Sequence, residues 1–285
     1  MRKFAQLALL LPLISLVVVS CKQEKPGPAK LLVINAAISS PVAPNPLPTA
    51  GPAVDVRWNG RLVFNNVLYG AASVGGTPVT TITNPLVVNA AYRDVETGGF
   101  GLNMALAGSA GTTIYDRTTS FLPESNYTAV TFNFTPFYNV LLMKDDLTPP
   151  PPGKVKIRFI HAVPQEIFTS LGVPRRDTVD VTATGGLSTA PVQNLALFPL
   201  RRFADAYNNL KLQEFAVIDS GRYNLGLRVA GTPGTSPATG LLALLPLPPA
   251  NTRLEAGKIY TVVARLQFAA PPNPPAPALT IVAHN

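Results

Sequence analysis

Few side chains in this 285-residue chain are equipped for chemistry: one cysteine, two histidines and fifteen acids. Cys21 carries the only thiol. A zinc centre draws its ligands from Cys, His and acids, and histidines this sparse cannot supply one, so no metal and no cofactor are expected. A hydroxyl or thiol nucleophile also needs an adjacent base, and none is placed to serve. Enzymatic activity is therefore not expected. Two acids invite attention because they recur in one context: Asp55 lies between Val54 and Val56, and Asp180 between Val179 and Val181. On a strand of period two, each points away from its valines, toward solvent or a sheet edge. The expected role is to brace a turn by accepting backbone N–H groups; a ligand or Ca²⁺ contact is the alternative. Carboxylates in separate repeats cannot form a glycosidase pair, which needs them about 5 to 9.5 Å apart.

Trp58 shares the register of Val54 and Val56 and is expected in the core, although an exposed indole there could stack on a sugar ring. The second repeat has Ala183 in its place. Phe132, Phe134, Phe137 and Tyr138 read as buried strand rather than recognition surface. His161 stands where the first repeat has Asn35, so an imidazole is not required, and His284, one residue from the last, is expected to be mobile.

Cys21 has a more specific setting. Arg2 and Lys3 open the chain, an apolar run extends from Phe4 to Val19, and Val18, Val19 and Ser20 directly precede the thiol. This resembles the bacterial lipobox, as opposed to the small-x-small site of ordinary secretory signals; a single-pass anchor with a chance cysteine is the competing reading. The resemblance implies cleavage after residue 20 and acylation of Cys21, with two or three chains each gaining about 0.8 kcal/mol per buried methylene. The membrane, reached through that lipid, is then one partner, and no internal disulfide can form. Lys22, Gln23 and Glu24 partly resemble the Lys-plus-acidic signal that sends some Bacteroidota lipoproteins to the cell surface. An outer-membrane location follows, with the outer face favoured over the periplasmic one. Asp177, Thr178 and Val179 fit the short pattern that Bacteroidota O-glycosylate, which makes Thr178 a candidate site.

Hydrophobic residues make up 47% and charged residues 13%, while 30 Pro and 21 Gly are spread along the whole chain. That mixture suits many short strands joined by turns. Of the formal net charge of +8, Arg2 and Lys3 contribute two, and the remaining excess is diffuse. Nucleic-acid binding is not expected, because no basic patch is interleaved with aromatics.

An internal repeat sets the organisation. Lys30 to Ala36 matches Val155 to Ala162, and Val95 to Gly108 aligns without gaps to Ile218 to Gly231. Tyr127 and Thr128 pair with Tyr260 and Thr261, and Val140 to Met143 with Leu279 to Val282. With the Val-Asp-Val pair, five blocks recur in one order, as a tandem duplication requires. Large apolar residues alternate at Phe100, Leu102, Met104 and Leu106, and at Tyr223, Leu225, Leu227 and Val229, the mark of a strand with one buried face. Helical spacing is weak and confined to Leu200 to Phe215, with Arg201, Arg202 and Asp205 on the exposed side. The fold class is all-β: two tandem immunoglobulin-like antiparallel β-sandwich domains after a lipoprotein signal peptide. The boundaries read as 1–20 signal, 21–28 lipidated cysteine and tether, 29–146 first domain, 147–153 Pro-rich linker and 154–285 second domain. The linker's four consecutive prolines, Pro149 to Pro152, make a short, stiff spacer.

The ordered blocks resemble a family of exported bacterial domains, domain of unknown function 4397. They comprise an apolar strand ending at Asn35–Ala36 or His161–Ala162, the Val-Asp-Val strand, the aromatic strand after Gly98 or Gly221, and the Tyr-Thr strand. The resemblance implies a β-sandwich in an envelope protein, commonly lipid-anchored. It supplies no activity and no catalytic residues. The second repeat departs from the first in the Pro-rich stretch from Thr232 to Pro249, which lengthens one loop and makes it a candidate binding loop. Function reads as two non-catalytic modules for binding, adhesion or spacing, with an envelope protein as partner. The alternative is a carbohydrate-binding lipoprotein of a glycan-uptake system, with a polysaccharide as partner.

Overall fold

A computed structural model describes residues 26–39, 49–50, 52–69, 87–108, 112–133, 138–164, 178–186, 192–230, 241–244, 252–267 and 276–284. Cys21, Phe134, Phe137 and, apart from residues 241–244, the stretch from Thr232 to Pro249 lie outside them.

The chain is all-β and builds two sandwiches. In the first, one sheet holds β1 (Ala29–Asn35), β7 (Arg93–Val95), β10 (Asn126–Phe132) and β11 (Asn139–Asp145) in the order β11-β10-β1-β7. The facing sheet holds β4 (Val54–Trp58), β5 (Arg61–Val67), β8 (Gly98–Leu106) and β9 (Thr113–Phe121), in the order β5-β4-β8-β9. Between them pack Leu31, Val33, Val54, Val56, Leu102 and Met104, the inward members of alternating strands.

The second sandwich repeats the plan. β12 (Lys154–His161), β15 (Ala216–Asp219), β19 (Ile259–Gln267) and β20 (Ala276–Ala283) form one sheet, ordered β15-β12-β19-β20. β13 (Thr178–Gly186), β14 (Val192–Arg202), β16 (Gly221–Val229) and β17 (Leu241–Leu244) form the other, ordered β14-β13-β16-β17, with β18 (Thr252–Leu254) also on β16. Short β2 (Ile38–Ser39) and β3 (Thr49–Ala50) pair with each other.

The pairing is not wholly antiparallel. In each sandwich the first strand lies parallel to the Tyr-Thr strand, β1 on β10 and β12 on β19. This is the topological consequence of bringing the first strand back beside a late one. The helical expectation for Leu200 to Phe215 is corrected as well. Only α1 (Asp205–Asn208) and a 3-10 turn (Leu210–Gln213) form, and Arg201 is buried and ion-paired with Asp205 rather than exposed.

The two sandwiches are not beads separated by a spacer. A third core cluster joins Leu32, Ile34, Val130, Leu141 and Met143 of the first to Ile160, Ala162, Val263 and Val282 of the second. These residues alternate with the ones facing each sandwich's own core, so β1, β10, β12 and β19 bury both faces. The junction is sealed at its edges by reciprocal arms. From the first sandwich, β6 (Val87–Asn89) adds to the second's sheet as a parallel neighbour of β20. From the second, Phe203 and Tyr207 stack edge-on against Phe132.

Candidate functional site

The polar residues that recur in both repeats are occupied with the backbone. Asp55 Oδ1 accepts the N–H of Asn66 at 2.8 Å, and Asp180 Oδ1 accepts that of Leu200 at 2.7 Å. Both donors sit in the left-handed region, at φ 56 and φ 53, where the β4–β5 and β13–β14 ladders slip register. Each carboxylate therefore stabilises a β-bulge. Tyr127 and Tyr260 accept the N–H of Leu122 and Glu255 respectively, each five residues upstream and each at 3.0 Å. This is the tyrosine corner of immunoglobulin-like sandwiches. Asn35 donates to the carbonyls of Pro52 and Val67 and accepts from Thr131 Oγ1 and the Ala37 N–H. His161, in the same place, accepts the Val163 N–H through Nδ1 at 3.3 Å.

Trp58 is buried at 2% exposure, stacked on Phe121 with centroids 4.2 Å apart and edge-on to Phe100. Its indole donates to the Glu96 carbonyl at 2.9 Å, which leaves no open ring face for stacking a sugar. Phe132 and Tyr138 are buried. Thr178 is half-buried at the start of β13, where its carbonyl accepts the Ala230 N–H.

Two polar assemblies escaped the sequence reading. The first lies inside the junction. Arg158 and Asp145, both with fully buried side chains, approach at 2.7 Å between NH2 and Oδ1. That approach is too bent for a hydrogen bond, so those atoms are held by charge alone. Arg158 Nε donates to Thr261 Oγ1, and its guanidinium lies 4.5 Å from the Phe215 ring centre. Asp145 Oδ2 accepts from Thr128 and from the Tyr92 hydroxyl, both at 2.7 Å. His284, expected to be mobile, is instead 6% exposed, with Nδ1 at 2.6 Å from the Tyr92 hydroxyl and Nε2 at 2.6 Å from Thr261 Oγ1. Burial, reinforced by the Arg158 cation and opposed by Asp145, pushes the His284 pKa down to about 3, so the ring is neutral. Burial and the Asp145 charge push the Tyr92 phenol far above its ordinary value. The clue in the sequence was Arg158, which stands where the first repeat has Leu32.

A second tie crosses the junction at Tyr69, whose hydroxyl donates to the Leu266 carbonyl and accepts the Leu266 N–H. Arg265 lies beside that ring, and burial raises the phenol to about 12.

The second assembly is a cleft of about 500 Å³ at one edge of the first sandwich, lined in part by the edge strands β5 and β7 of its two sheets. It is lined by Trp58, Asn59, Arg61, Val63 and Arg93 together with the carboxylates of Asp94 and Glu96, among others. Among the described residues no group of three His, Cys, Asp or Glu could hold a metal ion.

Residues 45–166 match the family model described as domain of unknown function (DUF4397). The match begins beyond β1 and ends just past β12. In a tandem repeat β12 is the counterpart of β1, so a window shifted by one strand contains the same blocks. No curated protein matches the chain. A crystal structure of a putative cell adhesion protein from Bacteroides fragilis NCTC 9343 is similar at 11% identity, over 90% of this chain and 97% of that one, with a TM-score of 0.20. Another putative cell adhesion protein, from Bacteroides ovatus ATCC 8483, gives 11% identity, 92% and 97% coverage and the same TM-score of 0.20. Superposition this slight transfers neither function nor fold.

Proposed function

We propose that the chain is a lipid-anchored protein of the cell envelope whose two β-sandwich modules act together as one non-catalytic unit for binding or adhesion. The junction is the observation that supports this most. The charged groups buried between the modules are engaged with one another, and the repeated acids are engaged with backbone, so the polar chemistry of the interior serves rigidity. A stiff two-module body suits display of a surface to a partner. The anchor rests on the run from Val18 to Cys21 and on the amino-terminal charges; among the described residues no helix is long and apolar enough to cross a membrane. Radiolabelled palmitate supplied to producing cells should enter the wild-type chain and not Cys21→Ser. Protease shaving of intact cells should then release fragments of residues 30–285. Equal labelling of Cys21→Ser would remove the anchor, and protection of the whole chain would place it on the periplasmic face.

The second reading, a carbohydrate-binding lipoprotein, is favoured by the cleft between β5 and β7.

A further inference from the structure

We infer that the cleft between β5 and β7 is a binding site for an acidic sugar, one carboxylate on a hydroxyl-rich ring. The assignment rests on the reading of this chain as a binding module. Arg61 is directly opposite Trp58 in the β4–β5 hairpin, so the two side chains share the inward face of the sheet, at the mouth of the sandwich. The Arg61 guanidinium is exposed and, among the described residues, has neither an ion pair nor a hydrogen bond. Arg93 reaches into the mouth from β7. Its NH1 donates to the Val63 carbonyl at 2.6 Å and its guanidinium lies 5.2 Å from the Phe64 ring centre, which fixes a second cation there. On the other flank, Glu96 Oε2 accepts from Asn59 Nδ2 at 3.3 Å, a carboxylate and an amide side by side. Two guanidiniums suit a carboxylate. The Glu96 and Asn59 pair offers acceptors and donors to adjacent hydroxyls, and Val63 gives an apolar flank. The volume lies within the range of small-ligand sites.

The second sandwich acts as an internal control. Polar residues the fold requires occur in both repeats, as Asp55 and Asp180 or Tyr127 and Tyr260 do. Trp58 and Arg93 of the cleft do not, whereas the carboxylate of Glu96 recurs as Asp219. The β1–β7 and β12–β15 registers place Ala216 where the first sandwich has Arg93, and Ala183 takes the place of Trp58. A sandwich of this plan therefore folds without them, and their presence at one mouth calls for a role other than folding.

Trp58, the only tryptophan, lines the cleft and reports its occupancy. Titrating the intact protein with digalacturonate should give a saturable change in tryptophan emission, with dissociation at millimolar concentration or below. Neutral cellobiose should give none. Arg61→Ala should weaken the response by about tenfold or more, the loss of a charge-assisted contact. Glu96→Gln should weaken it less and leave the preference for the acid intact. A polyuronate chain and a uronic acid displayed on a glycolipid vesicle separate a polymer ligand from a headgroup, and saturable binding of either supports the site. No response to digalacturonate up to about 10 mM, or an equal response to cellobiose, overturns it. If cells displaying the chain still bind a partner after that failure, the sugar is lost and the adhesion reading stands.

Discussion

Removing Arg158 tests the junction where it is most vulnerable. At 2.7 Å from Asp145, and with an effective dielectric of about 20, the attraction amounts to about 6 kcal/mol. Relaxation and water entry reduce the measured cost of losing one partner to about 3–5 kcal/mol, because a buried carboxylate is left uncompensated. Arg158→Ala should therefore lower stability by about that amount, and Tm by roughly 6–20 °C for a body of this size. Thr128 and Tyr92 would still donate to Asp145, which sets the lower figure rather than the higher. Replacing both partners, Arg158→Leu with Asp145→Leu, should recover at least half of the loss, since a buried ion pair and a packed apolar pair are often nearly equal in worth. The first sandwich supplies the precedent: the counterpart of Arg158 there is Leu32, fully buried in the same junction cluster. Urea unfolding, read as the midpoint at constant slope, measures both variants. A single variant within about 1 kcal/mol of wild type, or a double variant as damaging as the two singles summed, would refute the reasoning.

Other consequences can be checked with the same assay. His284 has a folded pKa of about 3, below the unfolded value of about 6.5, so between those pH values the unfolded chain binds a proton that the folded chain refuses. Stability should be flat above about pH 6.5 and fall by about 1.4 kcal/mol per pH unit below it; His284→Gln should remove that slope, and an unchanged slope would exclude His284 as its source. Leu200 is 67% exposed at φ 53, a conformation that costs a leucine about 1 kcal/mol. Because Asn66 holds the matching bulge in the first sandwich, Leu200→Asn should stabilise by about 0.5–1 kcal/mol, and a destabilised variant would contradict the bulge assignment. Tyr127→Phe and Tyr260→Phe should each cost about 1 kcal/mol, the worth of one corner hydrogen bond, and additively, since the corners belong to different sandwiches.

The strands and their duplication were legible because alternation and turn residues are local signals. Asp55, Asp180, Tyr127 and Tyr260 were legible as a repeated set for the same reason. The junction was not read, although a trace of it was there. Leu31 to Ile34 and Val140 to Met143 are continuous apolar runs rather than alternating ones, and strands buried on both faces read that way. What such a run cannot say is which surface covers the second face. His284 looked free because its place near the end of the chain carries no hint of the Tyr92 and Thr261 hydroxyls that enclose it. The cleft was hidden for a related reason. Arg61 opens β5, whereas Arg93 and Glu96 begin and directly follow β7, and only the stacking of the two sheets brings these edge strands to one mouth.

The central claim is that two copies of one sandwich are fused face to face into a single cooperative body. Trp58 lies in the first sandwich alone, whereas far-ultraviolet circular dichroism reports strands of both. Following the two signals through one urea titration should give superimposable transitions with a common midpoint. A tryptophan transition separated from the dichroism transition, or a biphasic dichroism curve, would show the sandwiches unfolding independently and would contradict the account.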